Sequence, residues 1–466
     1  MTANWLAYLA LLSWPFVAFL FYKSLPAAQA TIFTTLGGLL LLPSAVALKI
    51  EMIPAFDKNS IPSLCVLFGC LLFGRRGRRD RTGFGIPEAL ALAYVIGPFF
   101  TSALNNDTII IGSTVLPGVG NYDAGSAMLS QVLAILPFFV GRYFMQDPDD
   151  TWNVLRAIVG GGLLYSLPML FEIRMSPQLS NWIYGYFPSS FSTEGRYGGF
   201  RPVVFFENGL ALSFFTMTAV IASIALWRAK KKFSNFPPVA IPSYLSIVLV
   251  LCKSLGALVY AIFAGALVGW SRPKSCVRVA VLLAGVALLY PLLRVEGLFP
   301  DKMLVDIAEH VNVERAGSLQ TRFDQEQQLL DRSSERPVFG WGRFGRSRVY
   351  DAYGKDISLT DGLWIITLGQ FGLAGFLAQF GLLALPVFRA ASALKFARSD
   401  QDRVFLATLT LIAALTLVEQ LPNSSLGCWN WLLAGSLLGR VEKLRAMTFL
   451  TTRRRAVELH SLAEKR

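Results

Sequence analysis

The chain has 466 residues, 54% of them hydrophobic and 16% charged, with a mean hydropathy of +0.50 and a net charge of +13. That balance leaves too little polar surface for a soluble globule, and apolar runs recur from end to end, so the chain reads as a polytopic membrane protein. The positive charge reads as basic loops on one side of a membrane, and nucleic acid is not the expected partner.

The first apolar segment, Trp5 to Tyr22, has no charged lead and no small-residue cleavage site, so it is expected to be a span and not a cleaved signal. Further segments follow near 31–50, 61–73, 86–104, 126–145, 154–172 and 208–227. Within 154–172 the run Gly160-Gly161-Gly162 suits close helix packing. The run from Val239 to Trp270 is too long for one crossing and breaks at Cys252-Lys253-Ser254, so two short spans are expected there. Segments near 276–293, 361–388, 403–421 and 425–440 complete an all-α fold of about 12–13 transmembrane helices.

Lysine and arginine set the orientation. Five arginines between Arg75 and Arg81, the group Arg228/Lys230/Lys231/Lys232, the group Arg272/Lys274/Arg278 and Arg453-Arg454-Arg455 mark the expected cytoplasmic side. The opposite side then receives three larger loops, at 105–125, 173–207 and 294–360. The organisation expected is a helical body over 1–293 with a functional loop at 173–207, a large loop at 294–360, further helices over 361–440 and a basic tail at 441–466.

The five cysteines (65, 70, 252, 276 and 428) lie in or beside apolar segments without metal-ligand spacing, and the two histidines, His310 and His460, are far apart. No Walker loop, dinucleotide fingerprint or HExxH is present. Neither a metal nor a cofactor is expected.

The loop at 173–207 concentrates its chemistry in GRYGGFRPVVFFENGL, where Arg196 and Arg201 flank a glycine pair and Asn208 opens the next span. Two readings stand for that segment. Asn208 caps the free N–H groups of the helix, or the helix start and its two arginines take a phosphate.

The loop at 294–360 is too long for a connector. Its first half is acidic (Asp301, Asp306, Glu309, Glu314), and its second half is expected to form a helix from about Leu319 to Arg332 with Phe323, Leu329 and Leu330 as an apolar stripe. Arg322 and Glu326 share a face of that helix at i and i+4. Pro337 stops it, and Gly340 and Gly342 permit turns. Six arginines lie between 322 and 348, more than packing requires, and Arg343, Arg346 and Arg348 cluster ahead of Asp361, where a span begins.

Arginine is the side chain best suited to gripping a diphosphate, because its planar fork donates paired hydrogen bonds and keeps its charge. The headgroup of a lipid diphosphate would lie level with Arg343–Arg348 and with Arg196 and Arg201. A sugar transferred off that diphosphate leaves growing negative charge behind, which fixed arginines stabilise without a metal. The incoming hydroxyl needs a base, for which Asp361 and Glu326 are the candidates. Each has a plainer alternative: Asp361 caps the helix that starts there, and Glu326 pairs with Arg322.

The stretch from Arg322 to Gly375 resembles the signature region of the O-antigen ligase and Wzy-type polymerase superfamily of bacterial envelope glycan assembly. The matching residues are Arg322 on a helix, Pro337 before Gly340-Trp341-Gly342, and Asp361-Gly362 before a span ending in Gly372-Leu373-Ala374-Gly375. The Arg196–Asn208 segment resembles the family's earlier Arg and Asn motif, and Cys252-Lys253-Ser254 stands where the family often has a Ser-Arg pair. The resemblance implies a GT-C-like, metal-independent glycosyltransferase of the bacterial inner membrane, using a glycan on undecaprenyl diphosphate at the periplasmic face. Taken with the chemistry of the residues, it leaves Arg196, Arg201, Asn208, Arg322, Arg343, Arg346 and Arg348 as the expected diphosphate- and glycan-binding residues, with Asp361 and Glu326 as the catalytic candidates. A flippase, a chain-length regulator and membrane lipids are the partners implied. Where ligases usually carry a His-Asn pair this chain has Asp361-Gly362, which favours a polymerase of repeat units over a ligase that moves finished glycan to a lipid or protein acceptor. A transporter for lipid-linked glycan would place ionisable residues at mid-span depth, whereas the apolar segments are nearly free of charge.

Overall fold

The computed structural model describes residues 3–49, 54–74, 83–196, 198–231, 237–311 and 313–463. The arginines at 75–81, Lys232 and the side chains of the tail arginines at 453–455 lie outside the described residues.

The chain opens with α1 (Trp5–Ser24), α2 (Ala27–Leu41), a hairpin of β1 (Ala47–Leu48) and β2 (Phe56–Asp57), and α3 (Ser60–Phe73). Then come α4 (Ile86–Ala103), the hairpin β3 (Ile109–Ile111) and β4 (Thr114–Leu116), α5 (Asn121–Phe144) and α6 (Pro148–Met175). The short α7 (Leu179–Tyr184) and α8 (Phe191–Glu194) and the hairpin β5 (Gly195–Arg196) and β6 (Gly199–Phe200) lead to α9 (Gly209–Arg228). There follow α10 (Ala240–Leu251), α11 (Leu255–Trp270), α12 (Pro273–Val295), α13 (Asp301–Val311) and α14 (Val313–Ser334). The chain closes with α15 (Leu363–Ala393), α16 (Asp400–Glu419) and α17 (Cys428–Ala463).

Among the described residues, eight helices (α1, α4, α5, α6, α9, α12, α15 and α16) are long and apolar enough to cross a membrane, which makes this an all-α, multi-pass architecture. That is fewer than the 12–13 expected, and the shortfall has a simple cause. The apolar α2, α3, α10 and α11 hold 15, 14, 12 and 16 residues. At 1.5 Å per residue each rises roughly 18–24 Å, against a hydrocarbon core of about 30 Å. The helix α17 begins apolar but carries Arg440, Glu442 and Lys443. The expected break between α10 and α11 is present, with Lys253 in the left-handed region at φ 55°.

Contacts sort the helix ends into two groups. At one end Asn4 N donates to Tyr184 O, Ser44 Oγ to Phe206 O, Lys253 Nζ to Arg196 O and Asn105 Nδ2 to Gly340 O. The loops at 105–125, 173–207 and 294–360 all gather here, at what we call the loop-rich end. At the other, Arg228 bonds Val268 O, Lys231 lies over the Trp152 ring, and Arg142 is clamped between Glu88 and Glu442.

The centre of the bundle is α9 and α16, each with 83% of its apolar window buried. Their hydroxyls cost little there, because Ser213, Thr216, Thr218 and Ser223 all donate to carbonyls of their own helix. Gly162 lets α6 close on α9: a Cβ there would stand 2.6 Å from that of Ala219.

One expected span is not continuous. The segment expected at 361–388 breaks at Gly372, whose φ of 65° and ψ of −167° are open essentially to glycine alone. The loop at 337–342 fills the break. Leu373 N donates to Pro337 O and Ala374 N to Val338 O, while Trp341 N and Gly342 N donate to Gly369 O and Gln370 O. Those four bonds satisfy groups that the break strips of helical partners. The preceding stretch, 363–371, is tied instead to the end of α16, through Leu363 N to Asn423 O and Trp364 N to Gln420 O. The Gly-Trp-Gly turn and the Gly-x-x-Gly segment therefore form one built junction.

Candidate functional site

The sequence placed Arg322, Glu326 and Asp361 in one chemistry, and the structure brings all three to the loop-rich mouth of α15. Helix α14 extends further than expected, over Val313–Ser334, with Phe323, Leu329 and Leu330 buried as its apolar stripe. That anchorage fixes the face carrying Arg322. Arg322 Nε stands 3.4 Å from Asp361 Oδ2, both side chains partly exposed. The capping alternative for Asp361 does not hold, since the N-cap of α15 is Gly362 and no side chain caps it.

Glu326 is not Arg322's direct partner either. Its carboxylate accepts from Tyr290 Oη at 3.0 Å and from Trp364 Nε1 at 3.4 Å, with Arg294 Nε at 3.9 Å. The Tyr290 and Trp364 rings meet edge to face at 5.0 Å. Burial pushes the Glu326 carboxyl above its ordinary value, and the bond from Tyr290 and the charge of Arg294 offset this only in part. Arg294 is itself buried, donating to Asp301 and to Phe323 O and lying over the Phe299 and Phe323 rings.

Besides Trp364, three members of this site were not anticipated. Arg294 and Tyr290 end α12, and an arginine just where an apolar run reaches the loop-rich side was the available signal. Glu419, 7% exposed, ends α16, accepts from Asn423 Nδ2 at 2.7 Å and lies within reach of Arg322's charge. A glutamate in the last turn of an otherwise apolar run was its signal. Arg322 thus pairs with Asp361 and lends its charge to Glu326 and Glu419, the three carboxylates coming from the lead into α15, α14 and α16.

The earlier segment forms a second group at the start of α9. Asn208 Oδ1 accepts from Ala211 N at 2.9 Å, so capping is what Asn208 does here. Arg201 is 8% exposed, stands 3.6 Å from Glu194 Oε2 and packs its stem on Gly209, where a Cβ would meet its Cδ at 2.2 Å. Glu194 Oε1 accepts from Gly209 N, so the protein's own carboxylate occupies the helix start where the second of the two readings put a phosphate. Arg196 is exposed, donates to Gly195 O, and offers its carbonyl to Lys253.

Arg343, Arg346 and Arg348 do not form one open cluster. Arg346 is fully buried, bonding Trp341 O, Asp107 O, Pro117 O and Asp107 Oδ1. It ties the Gly-Trp-Gly turn to the 104–117 loop, and a guanidinium so occupied is not offered to a substrate. Arg343 donates to Asp123 O in the first turn of α5, and Arg348 pairs with Asp356. The physical reason is that burying these turns leaves backbone carbonyls without helical or strand partners, and the Arg346 fork takes up three of them, on Trp341, Asp107 and Pro117.

Among the described residues, no three His, Cys, Asp or Glu side chains come together in a way that could hold a metal ion. No protein-family model matches the chain, and no curated protein matches it.

Proposed function

We propose that this chain is a multi-pass glycosyltransferase of the bacterial inner membrane that joins repeat units carried on undecaprenyl diphosphate, with its site at the loop-rich end facing the periplasm. The sequence resemblance to the O-antigen ligase and Wzy-type superfamily supplies the class, and a helical bundle with its chemistry at one end suits a GT-C-like enzyme. The observation that carries it is the half-exposed Arg322–Asp361 pair at the mouth of α15, backed by Glu326 and Glu419.

In this reading Arg322 takes the diphosphate of the donor by its fork. The acceptor hydroxyl oxygen bonds to the anomeric carbon as the bond from that carbon to the phosphate oxygen breaks. The hydroxyl proton passes to Asp361, and the lipid diphosphate leaves with its charge against Arg322. Glu326, held by Tyr290 and Trp364, forms the wall behind the pair.

A transporter fits less well. The buried ionisable residues Arg142, Glu172, Arg294, Asp402 and Glu419 of the long apolar helices all stand in a first or last turn, not at mid-span. The test is the surface-glycan profile of a strain lacking this protein, resolved by chain length and by carrier. A polymerase predicts loss of long chains while single repeat units still reach their acceptor. Long chains held on undecaprenyl diphosphate would make it a ligase, and lipid-linked units confined to the cytoplasmic face would sink the enzyme reading.

A further inference from the structure

Between α1 and α3 runs a cavity of about 450 Å³, within the range of roughly 300–1,000 Å³ typical of ligand sites. Its floor includes Leu11 and Ala18 of α1, both buried, and its lips are the exposed Leu12 and Phe19 of α1 and Phe68 and Leu72 of α3. Lining positions recur every three or four residues from Leu11 to Tyr22, so the cavity is a groove along the helices. Leu48 and Phe56, paired across the β1–β2 hairpin, roof it toward the loop-rich end. Toward the other end Phe19 and Phe73 meet edge to face at 5.9 Å. There α1 and α3 close to contact, since a Cβ on Gly69 would stand 2.2 Å from the Tyr22 ring.

Polarity and width narrow the occupant. Among the described residues no charged side chain lines the groove, and its one hydroxyl, on Tyr22, is paired with Thr31 Oγ1 at 2.7 Å. Nothing there would hold a polar ligand. Leu11 to Tyr22 spans roughly 17 Å at about 1.5 Å per residue. Spread over that length, the volume leaves a strip about 26 Å² in section, or roughly 5 Å across. A helix with its side chains measures about 10–12 Å and is too thick to lie in it. A hydrocarbon chain, whose carbons pack at about 4 Å from their neighbours, fits once. Because α1 is long and apolar enough to cross a membrane, the supply of such chains is the bilayer around it.

Charge then selects the headgroup. Asn4, at the start of α1, bonds Tyr184 at the loop-rich end, so Lys23 in the last turn lies at the opposite end. Lys23 is exposed and stands one turn beyond Phe19 on the same helix face. The sequence continues from Gly74, the C-cap of α3, directly into Arg75-Arg76-Gly77-Arg78-Arg79. Covalent reach keeps that charge close to the same end. Basic residues following an apolar helix so closely attract anionic lipid.

We propose that the groove between α1 and α3 holds one acyl chain of an anionic phospholipid, with its headgroup level with Lys23. The chain passes over the Phe19–Phe73 pair and ends beneath the hairpin. This lipid is not the glycan donor, because its headgroup stands at the opposite end of the bundle from Arg322 and Asp361. The inference therefore does not rest on the transfer reading.

The test is native mass spectrometry of the purified full chain, stripped of lipid in detergent. It is titrated with dioleoyl phosphatidylglycerol, dioleoyl phosphatidylcholine and, as a single-chain probe, oleoyl lysophosphatidylglycerol. One phosphatidylglycerol should be retained per chain, phosphatidylcholine should bind at least fivefold more weakly, and the single-chain probe should displace the first lipid. Lys23→Gln should weaken phosphatidylglycerol about fivefold, the share of one lysine at an anionic headgroup, and leave phosphatidylcholine unchanged. Cys65→Phe and, as a second and milder change, Leu64→Trp fill the groove and remove retention of both lipids. Arg322→Ala leaves retention intact. Equal retention of the two lipids, or retention that survives both filling variants, overturns the proposal. So does displacement of phosphatidylglycerol by a smaller amount of undecaprenyl phosphate, which would give the groove to the carrier, or a dimer that forms as the lipid leaves, which would give it to a second copy.

Discussion

Arg322 Nε and Asp361 Oδ2 stand 3.4 Å apart, with 39% and 42% of the two side chains exposed. An ion pair so open to water is worth at most about 1 kcal/mol to the fold. Such a pair has little structural reason to sit at the mouth of a broken apolar helix. Its exposure leaves both partners available to a substrate.

Arg322→Ala and Asp361→Asn are therefore expected to abolish glycan elongation while moving the melting temperature little. Each variant is to be compared with the parent for surface-chain length and for thermal unfolding in detergent. Full elongation in both would remove the mechanism proposed here. A large fall in stability in either would mean that the pair is structural after all.

Arg201 is expected to behave differently from Arg322. It is buried beside Glu194 and fills the space above Gly209, so Arg201→Ala removes packing and leaves a buried carboxylate with its salt bridge lost. Breaking a buried pair costs roughly 3–5 kcal/mol. The variant should lose elongation and fold together, seen as a lower yield of folded protein and a lower melting temperature. Lost activity at unchanged stability would restore a direct substrate role for Arg201.

Arg346 extends the same argument to the large loop. All its bonds go to Trp341, Asp107 and Pro117, so Arg346→Ala is expected to free the 104–117 loop and the Gly-Trp-Gly turn. A cost of about 3–5 kcal/mol should appear as protease cleavage within 104–120 or 336–348. If the loop stays protected and only donor affinity falls, Arg346 binds substrate as the sequence suggested.

These contrasts show what was legible in the chain and what was not. The apolar helices, the break at Lys253 and the close approach at Gly162 follow from local composition, which the sequence displays directly. Spacing also put Arg322 and Asp361 in one site, as a helix-face arginine and a span-entrance carboxylate, but it paired Arg322 with Glu326, and only the fold sets Arg322 against Asp361. The direction in which an arginine points cannot be read that way. Arg343, Arg346 and Arg348 look alike in sequence, yet one is sealed among carbonyls while Arg348 pairs with Asp356 near solvent. Glu419 lies far along the chain from Arg322, so only the packing of α16 behind α15 unites them. The break at Gly372 was equally hidden, because a glycine in an apolar run reads as helix until a loop is seen to dock on it.

The raised Glu326 carboxyl gives a pH-dependent test. Burial is the main cause, so the folded protein holds this proton more tightly than the unfolded chain does. Ionised Glu326 therefore costs stability: the cost is absent below the ordinary value of 4.5 and grows as pH rises from there through the raised value. Glu326→Gln should remove it, leaving the variant at least as stable as the parent at pH 8 with the difference closing toward pH 4. Melting curves at the two pH values decide this. A Glu326→Gln variant that is progressively less stable than the parent as pH rises would show that the ionised carboxylate holds the site together.

Gly372 carries the last prediction, because the whole site hangs on the junction it permits. Its φ and ψ lie where a side chain adds strain of order 1–3 kcal/mol. A Cβ at Gly372 would also stand 2.3 Å from Val338 O, a backbone atom that cannot swing aside. Gly340 across the junction faces the same difficulty, with a Cβ placed 2.6 Å from the Gln370 carbonyl carbon. Gly372→Ala and Gly340→Ala should each expel the 337–342 loop, uncovering the carbonyls of Gly369 and Gln370 and shifting the stretch 363–371 that positions Asp361. Amide exchange should rise at Trp341, Gly342, Leu373 and Ala374 together in either variant, with elongation lost. Exchange confined to the mutated side of the junction would mean that the two segments dock independently and that Asp361 is positioned by the end of α16 alone.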